Sequence, residues 1–115
     1  MKVLTTLNSN ARQSLYFITD EKQRLKFTFY FLPTQDGWFY DVESEGFNLY
    51  GQRLCCHPNL LNKYSRIIDW GLNVSTTDGL DPYQIADFTS GYCYVSILDK
   101  EEVQQVEDYL NGQTQ

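Results

Sequence analysis

Between positions 25 and 31 the chain alternates without a break: Leu25, Phe27, Phe29 and Phe31 are large and apolar, with Lys26, Thr28 and Tyr30 between them. A period of two sends successive side chains to opposite faces of an extended strand, so these bulky groups share one face that must be covered. On a helix they would scatter around the circumference. The pattern commits the chain to a sheet packed on an apolar layer. Composition agrees, with seven Phe, nine Tyr and two Trp against only Ala11 and Ala86, a balance that suits a pleated, half-buried surface.

The neighbouring segments follow the same logic. Ser14 to Thr19 reads as a strand, and the polar run Asp20-Glu21-Lys22-Gln23 turns it into the next one. Pro33 ends the alternating strand, Gln35-Asp36-Gly37 supplies a turn, and Trp38, Tyr40 and Val42 alternate with Phe39, Asp41 and Glu43 in a third strand that pairs with the second as a meander. After Glu45-Gly46, a fourth strand runs from Phe47 to Leu54, with Gly51 placed for a bulge. His57-Pro58-Asn59 breaks the chain, and Leu60-Leu61 drops apolar side chains into the core from a loop. Further strands are expected from Arg66 to Ser75 and from Gly91 to Leu98, with Asp81-Pro82 opening a helical turn through Ile85 and Phe88. The expected fold is a mainly β single domain over 1–115, a small antiparallel barrel or sandwich of about six strands between about 14 and 98. A C-terminal amphipathic helix over about 99–111 completes it: Asp99 and Glu102 form a capping box, Val103, Val106 and Leu110 share a face beside Tyr109, and Gly112 ends it.

Charge and chemistry narrow the function. Nine Lys and Arg against fifteen Asp and Glu give −6, which leaves no basic footprint for duplex nucleic acid or an anionic membrane. The longest uncharged stretch, Phe88 to Leu98, is about half of what a spanning helix needs. Three cysteines, Cys55, Cys56 and Cys93, form no even framework and fit a reduced compartment. With His57 they contain zinc-ligand types, but consecutive cysteines on extended backbone point to opposite faces, and Cys93 sits on the apolar face of Val95 and Ile97. A Cys56–His57 nucleophile fails because sequence neighbours rarely reach hydrogen-bonding geometry; Asp41 and Glu43 share a strand face, where such carboxylates are ordinarily solvated. No catalytic, metal or cofactor site is expected. The aromatic wealth leaves one alternative, a barrel that stacks single-stranded nucleic acid, although the basic residues Lys22, Arg24 and Lys26 are opposed by Asp20 and Glu21. An acidic inhibitor or nucleic-acid mimic is a further alternative.

The order of landmarks from Leu15 to Leu98 resembles the baseplate plug proteins of contractile-tailed bacteriophages, known from cyanophage-type baseplates. Gly37-Trp38-Phe39-Tyr40-Asp41-Val42 is similar to that family's Trp-x-x-Asp-Ile strand, and Gly46 precedes Gly51-Gln52-Arg53-Leu54, similar to its Gly-x-x-Leu. Asn59-Leu60-Leu61 resembles its Asp/Asn-Leu-Leu, Gly71-Leu72-Asn73-Val74 its Gly-x-Leu-x-Val, Asp81-Pro82 its Asp-Pro turn, and Ser90-Gly91 with Tyr94-Val95 its closing strand. The chain departs from the pattern at Cys93 and Tyr94, and the helix from Asp99 lies outside it. The resemblance implies a non-enzymatic virion component, a plug or hub-adaptor subunit made in the host bacterial cytoplasm and lodged in the tail baseplate. Its implied partners are hub, tube, spike or wedge subunits, with several copies per assembly, no membrane and no specific nucleic acid. The matching positions, Gly37, Trp38, Asp41, Gly46, Gly51, Arg53, Leu60, Leu61, Gly71, Asp81, Pro82 and Gly91, would be fold determinants. The C-terminal helix is expected to pack either on its own sheet or on a neighbouring subunit, with Val103, Val106, Tyr109 and Leu110 as the candidate contact residues.

Overall fold

The computed structural model describes residues 2–19 and 22–113. Within them the chain forms β1 (Lys2–Val3), β2 (Arg12–Ile18), β3 (Arg24–Leu32), β4 (Gly37–Ser44), β5 (Phe47–Arg53), β6 (Gly71–Thr76), β7 (Cys93–Leu98) and α1 (Lys100–Gln113). Short 3-10 turns at Pro33–Gln35 and Asn62–Tyr64 link β3 to β4 and follow the Leu60-Leu61 loop. The strands make two antiparallel sheets, a four-stranded meander β2-β3-β4-β5 and a three-stranded sheet β1-β7-β6. The sheets do not close on each other, so the fold is a sandwich and not a barrel.

One apolar cluster joins the two inner faces. Leu25, Phe27 and Phe29 of β3 and Trp38, Tyr40 and Val42 of β4 supply one side, as the alternation requires. Leu72 and Val74 of β6 with Cys93, Val95 and Ile97 of β7 supply the other. Trp70 meets Phe27 edge-on, with ring centroids 6.0 Å apart, which locks the loop before β6 against the meander. Leu61 is sealed in the core beside half-buried Leu60, as their place in the loop predicts.

Several boundaries differ from expectation. The strand expected from Arg66 begins only at Gly71, because the Ile67 and Ile68 N–H groups both turn back to the Tyr64 carbonyl at 2.8 and 3.1 Å. That tight turn throws Ile67 outward and buries Ile68. Gly91 is likewise in a turn, at φ +81°, and β7 starts at Cys93. The segment after Asp81-Pro82 coils through helical turns without becoming a helix. Of the polar turn after β2, Asp20 and Glu21 lie outside the described residues; Lys22 adopts φ +62° and the Thr19 N–H reaches the Gln23 carbonyl at 2.9 Å. At the far end, the capping box forms in full: the Asp99 N–H donates to Glu102 Oε1 at 3.1 Å and the Glu102 N–H to Asp99 Oδ1 at 2.8 Å. Gly112 does not end the helix, which continues to Gln113. The sequence reading missed β1, two residues whose pairing with Ile97 and Ser96 has no periodicity to announce it.

Candidate functional site

The polar residues of the shared pattern meet in pairs across strands. Tyr50 and Gly51 stand where Asp41 alone opposes them, a bulge that shifts the β4–β5 register between Tyr40 and Val42. Gly51 takes φ +68°, open to glycine and costly to other residues. Asp41 Oδ1 accepts the Gly51 N–H at 2.7 Å and the Tyr30 hydroxyl at 3.1 Å. Burial, then the adjacent Asp41 carboxylate, raise the Tyr30 phenol above its ordinary range.

A second pair builds the loop before β6. Asn59 is buried, and its Oδ1 accepts the N–H groups of Leu61 and Leu72, each at 3.1 Å. A Cβ at Gly71 would lie 2.6 Å from that same oxygen, so the absence of a side chain at 71 is what admits the amide. Gly37 plays a related part for Arg53, whose guanidinium lies 2.6 Å from where a Cβ would stand, and whose nitrogens approach the Gln35 and Asp36 carbonyls at 3.5 Å. Asp81 Oδ1 accepts the Cys56 N–H at 2.8 Å, pinning the chain after β5, while Pro82 is buried beside it in sequence. Gly46, at φ +82°, turns β4 into β5. Trp38 is fully buried, and its Nε1 donates to the Gln84 carbonyl at 2.9 Å.

Asp87 was not marked by the sequence. It is 3% exposed, and its Oδ2 accepts the Tyr83 and Gln84 N–H groups at 2.7 and 2.8 Å, holding the coil that carries Phe88 against Trp38. Its spacing to those donors, three and four residues back along the chain, is too common to stand out in a sequence. Also missed is a row across the outer face of the meander. Arg12 lies over Tyr30 at 5.5 Å, Tyr30 and Phe39 stack at 6.1 Å, and Arg53 lies over Phe39 at 5.5 Å.

The candidate chemical groups do not converge. His57 Nδ1 accepts the Asn59 N–H at 3.0 Å, Cys93 is buried, and Cys55 and Cys56 are half-buried beyond β5. Burial, and then the nearby Asp81, push the Cys55 thiol up, and burial pushes the Cys93 thiol up to about 12, so neither is an activated nucleophile. Among the described residues no group of three or more His, Cys, Asp or Glu side chains is placed to hold a metal ion. Asp41 and Glu43 share the outer face of β4 as expected, but each has a partner: Glu43 Oε1 accepts the Tyr50 hydroxyl at 3.3 Å. Of the helix residues, Val103 is buried where α1 rests on β7, Val106 and Leu110 are half-buried, and Tyr109 is 59% exposed. No described helix is long and apolar enough to cross a membrane.

The sequence model of the family described as the cyanophage baseplate Pam3 plug gp18 matches residues 1–99, so the match takes in both sheets and stops at the start of α1. No curated protein matches the chain. The family is one of structural baseplate components, which gives the chain a place in the virion tail alongside other baseplate subunits and points away from enzymatic work. With 99 of its 115 residues matched, the chain belongs to the family of the cyanophage baseplate Pam3 plug gp18.

Proposed function

We propose that the chain is a non-enzymatic plug or hub-adaptor subunit that acts through protein–protein assembly, in contact with hub, tube, spike or wedge subunits. The observation that carries this reading is the use made of its polar groups. Asp41, Asn59, Asp81 and Asp87 each accept main-chain N–H groups, so these acids and this amide hold the chain in shape. Such a chain offers neighbours a rigid surface. The exposed Tyr109, beside half-buried Val106 and Leu110 on a helix outside the matched region, is the candidate contact.

The test is complementation of a phage lacking the gene, followed by mass spectrometry of purified tails. The wild-type chain should be present in the baseplate, and Tyr109→Asp, at an exposed position, should fold normally and incorporate poorly. Absence of the wild-type chain from purified tails would overturn the assembly reading. Full incorporation of Tyr109→Asp would remove the helix from the contact surface.

The nucleic-acid alternative finds no support in the aromatic row of the meander. Stacking surfaces need open ring faces and a cationic groove. In the row on the meander each ring has a guanidinium on one side and the other ring on its other side. Trp38 and Trp70 are both buried, so tryptophan quenching cannot report base stacking, and a labelled oligonucleotide must be followed by anisotropy.

A further inference from the structure

We infer that the open edge of β2 pairs, antiparallel and about a two-fold axis, with β2 of a second copy of this chain. The inference stands on the edge itself and is independent of the baseplate reading.

The four sheet edges are treated differently. β1 is two residues long. β6 is covered by the loop before it: His57 and Val74 exchange N–H and C=O bonds at 2.9 and 3.0 Å, and the Leu60 N–H donates to the Leu72 carbonyl at 2.7 Å. β5 is broken by the Gly51 bulge. β2 has seven residues, no proline, no glycine, no bulge, and one charge, Arg12, at its start. Natural edges are ordinarily blunted by those devices, so a long plain edge is a template for another strand.

The direction of its main-chain groups follows from the register. Arg12 faces Tyr30 and Ile18 faces Arg24 across β3. The Phe31 N–H donates to the Ala11 carbonyl and the Thr19 N–H to the Gln23 carbonyl, at 2.8 and 2.9 Å, so odd-numbered positions bond to β3. Arg12, Ser14, Tyr16 and Ile18 therefore turn their N–H and C=O groups outward. Tyr16 and Ile18 are also 77% and 60% exposed. On the inner face, Leu15 and Phe17 are only half-buried, while Leu25 and Phe27, their partners on β3, are sealed.

A second β2 completes both deficits. The full-length two-fold register places Leu15 opposite the same residue of the other copy, Ser14 opposite Tyr16, Gln13 opposite Phe17 and Arg12 opposite Ile18. Every outward position then lies in a hydrogen-bonded pair, giving about eight main-chain bonds. No charge faces a charge, the small Ser14 meets the large Tyr16, and Leu15 is covered at the axis. Registers shifted by two residues leave part of each strand unpaired.

Sedimentation equilibrium of the full chain from micromolar to hundreds of micromolar should show a reversible monomer–dimer equilibrium. Ser14→Pro removes an outward N–H and the hydroxyl contact of Ser14 with Thr28 Oγ1 at 3.0 Å, neither of them part of the β2–β3 main-chain ladder, so it should keep the circular dichroism of the wild type, melt slightly lower and remain monomeric. Leu15→Cys places two thiols across a close, non-hydrogen-bonded pair. Under mild oxidation it should cross-link to a covalent dimer well beyond a wild-type control that carries the native cysteines. A wild-type chain that stays monomeric throughout, including one whose edge takes a strand from another subunit, overturns the proposal. So does a Leu15→Cys chain that cross-links no more than wild type, the deciding result if Ser14→Pro fails to fold.

Discussion

Asp41 and Gly51 face each other across β4 and β5, and the carboxylate of one holds the main chain of the other: Asp41 Oδ1 accepts the Gly51 N–H at 2.7 Å. The glycine makes the bulge possible and the aspartate fastens it, so two separate motifs in the sequence are one device in space. Asp41→Ala should destabilise the chain by about 1.5–3 kcal/mol, the range for a hydrogen bond to a charged group. Gly51→Ala, forced to φ +68°, should cost about 1–2 kcal/mol through backbone strain. Urea unfolding of both variants measures the loss; wild-type midpoints for both would mean that the bulge is held by something else.

Asn59 and Gly71 are coupled more tightly. Asn59→Ala leaves the Leu61 and Leu72 N–H groups without their acceptor in the core, at about 1–3 kcal/mol for each orphaned donor. Gly71→Ala drives a methyl into the amide and should cost about 1–3 kcal/mol as an overpacked site. Combined, the two should be less than additive, since removing the amide makes room for the methyl. Strict additivity in a double-mutant cycle contradicts the contact.

The register of β3 gives a third test. Phe29 is fully buried against Phe27, Tyr40 and Phe88, so Phe29→Ala should cost about 3–5 kcal/mol. Lys26 points to the other face, its ammonium 5.9 Å from the Tyr16 ring, and Lys26→Ala should cost no more than about 1 kcal/mol. Thermal melts that ranked these two substitutions in reverse would place the wrong face in the core.

Cys93 sets an alkaline limit. Burial raises its thiol from an ordinary 9.0 to about 12 in the folded chain. The folded state therefore holds that proton more tightly than the unfolded one. Its contribution to stability is complete below about pH 9 and is lost as pH climbs towards about 12. Melts across that window should fall less steeply for Cys93→Ala than for the wild type. Native Cys93 should also resist thiol reagents until the chain unfolds, and rapid labelling in the folded state would contradict its burial.

What the sequence revealed divides along the reach of the interactions. The alternation at Leu25, Phe27 and Phe29 is local and strong, so strand, face and core were all readable there. The capping box at Asp99 and Glu102 is local too, and was legible to the residue. The loop from Asn62 to Trp70 misled because Ile67, Ile68 and Trp70 look like strand residues; a turn of the Ile67 and Ile68 N–H groups onto the Tyr64 carbonyl overrides propensity. Asp87 and the Arg12–Tyr30–Phe39–Arg53 row were invisible for a related reason. Each depends on partners brought together only by the fold. Glycines and acids of the family pattern could be named from sequence, but their pairing could not, because Gly37 meets Arg53 diagonally across β4 and β5 and Asp41 meets Gly51 only where the bulge breaks the register.

The two sheets differ in how far along the chain their partners must travel. Each hairpin of the β2-β3-β4-β5 meander closes a short loop, which costs little chain entropy, and neighbouring strands meet early in any search. β1 is the opposite case: Lys2 pairs with Ile97, almost the whole chain away, through a strand of two residues. The meander is thus suited to form first as a preassembled template, β6 and β7 to lay the second sheet on it, and β1 to dock last. In a nascent chain β1, made long before β7, would be among the latest elements to settle, waiting for β7 to leave the ribosome.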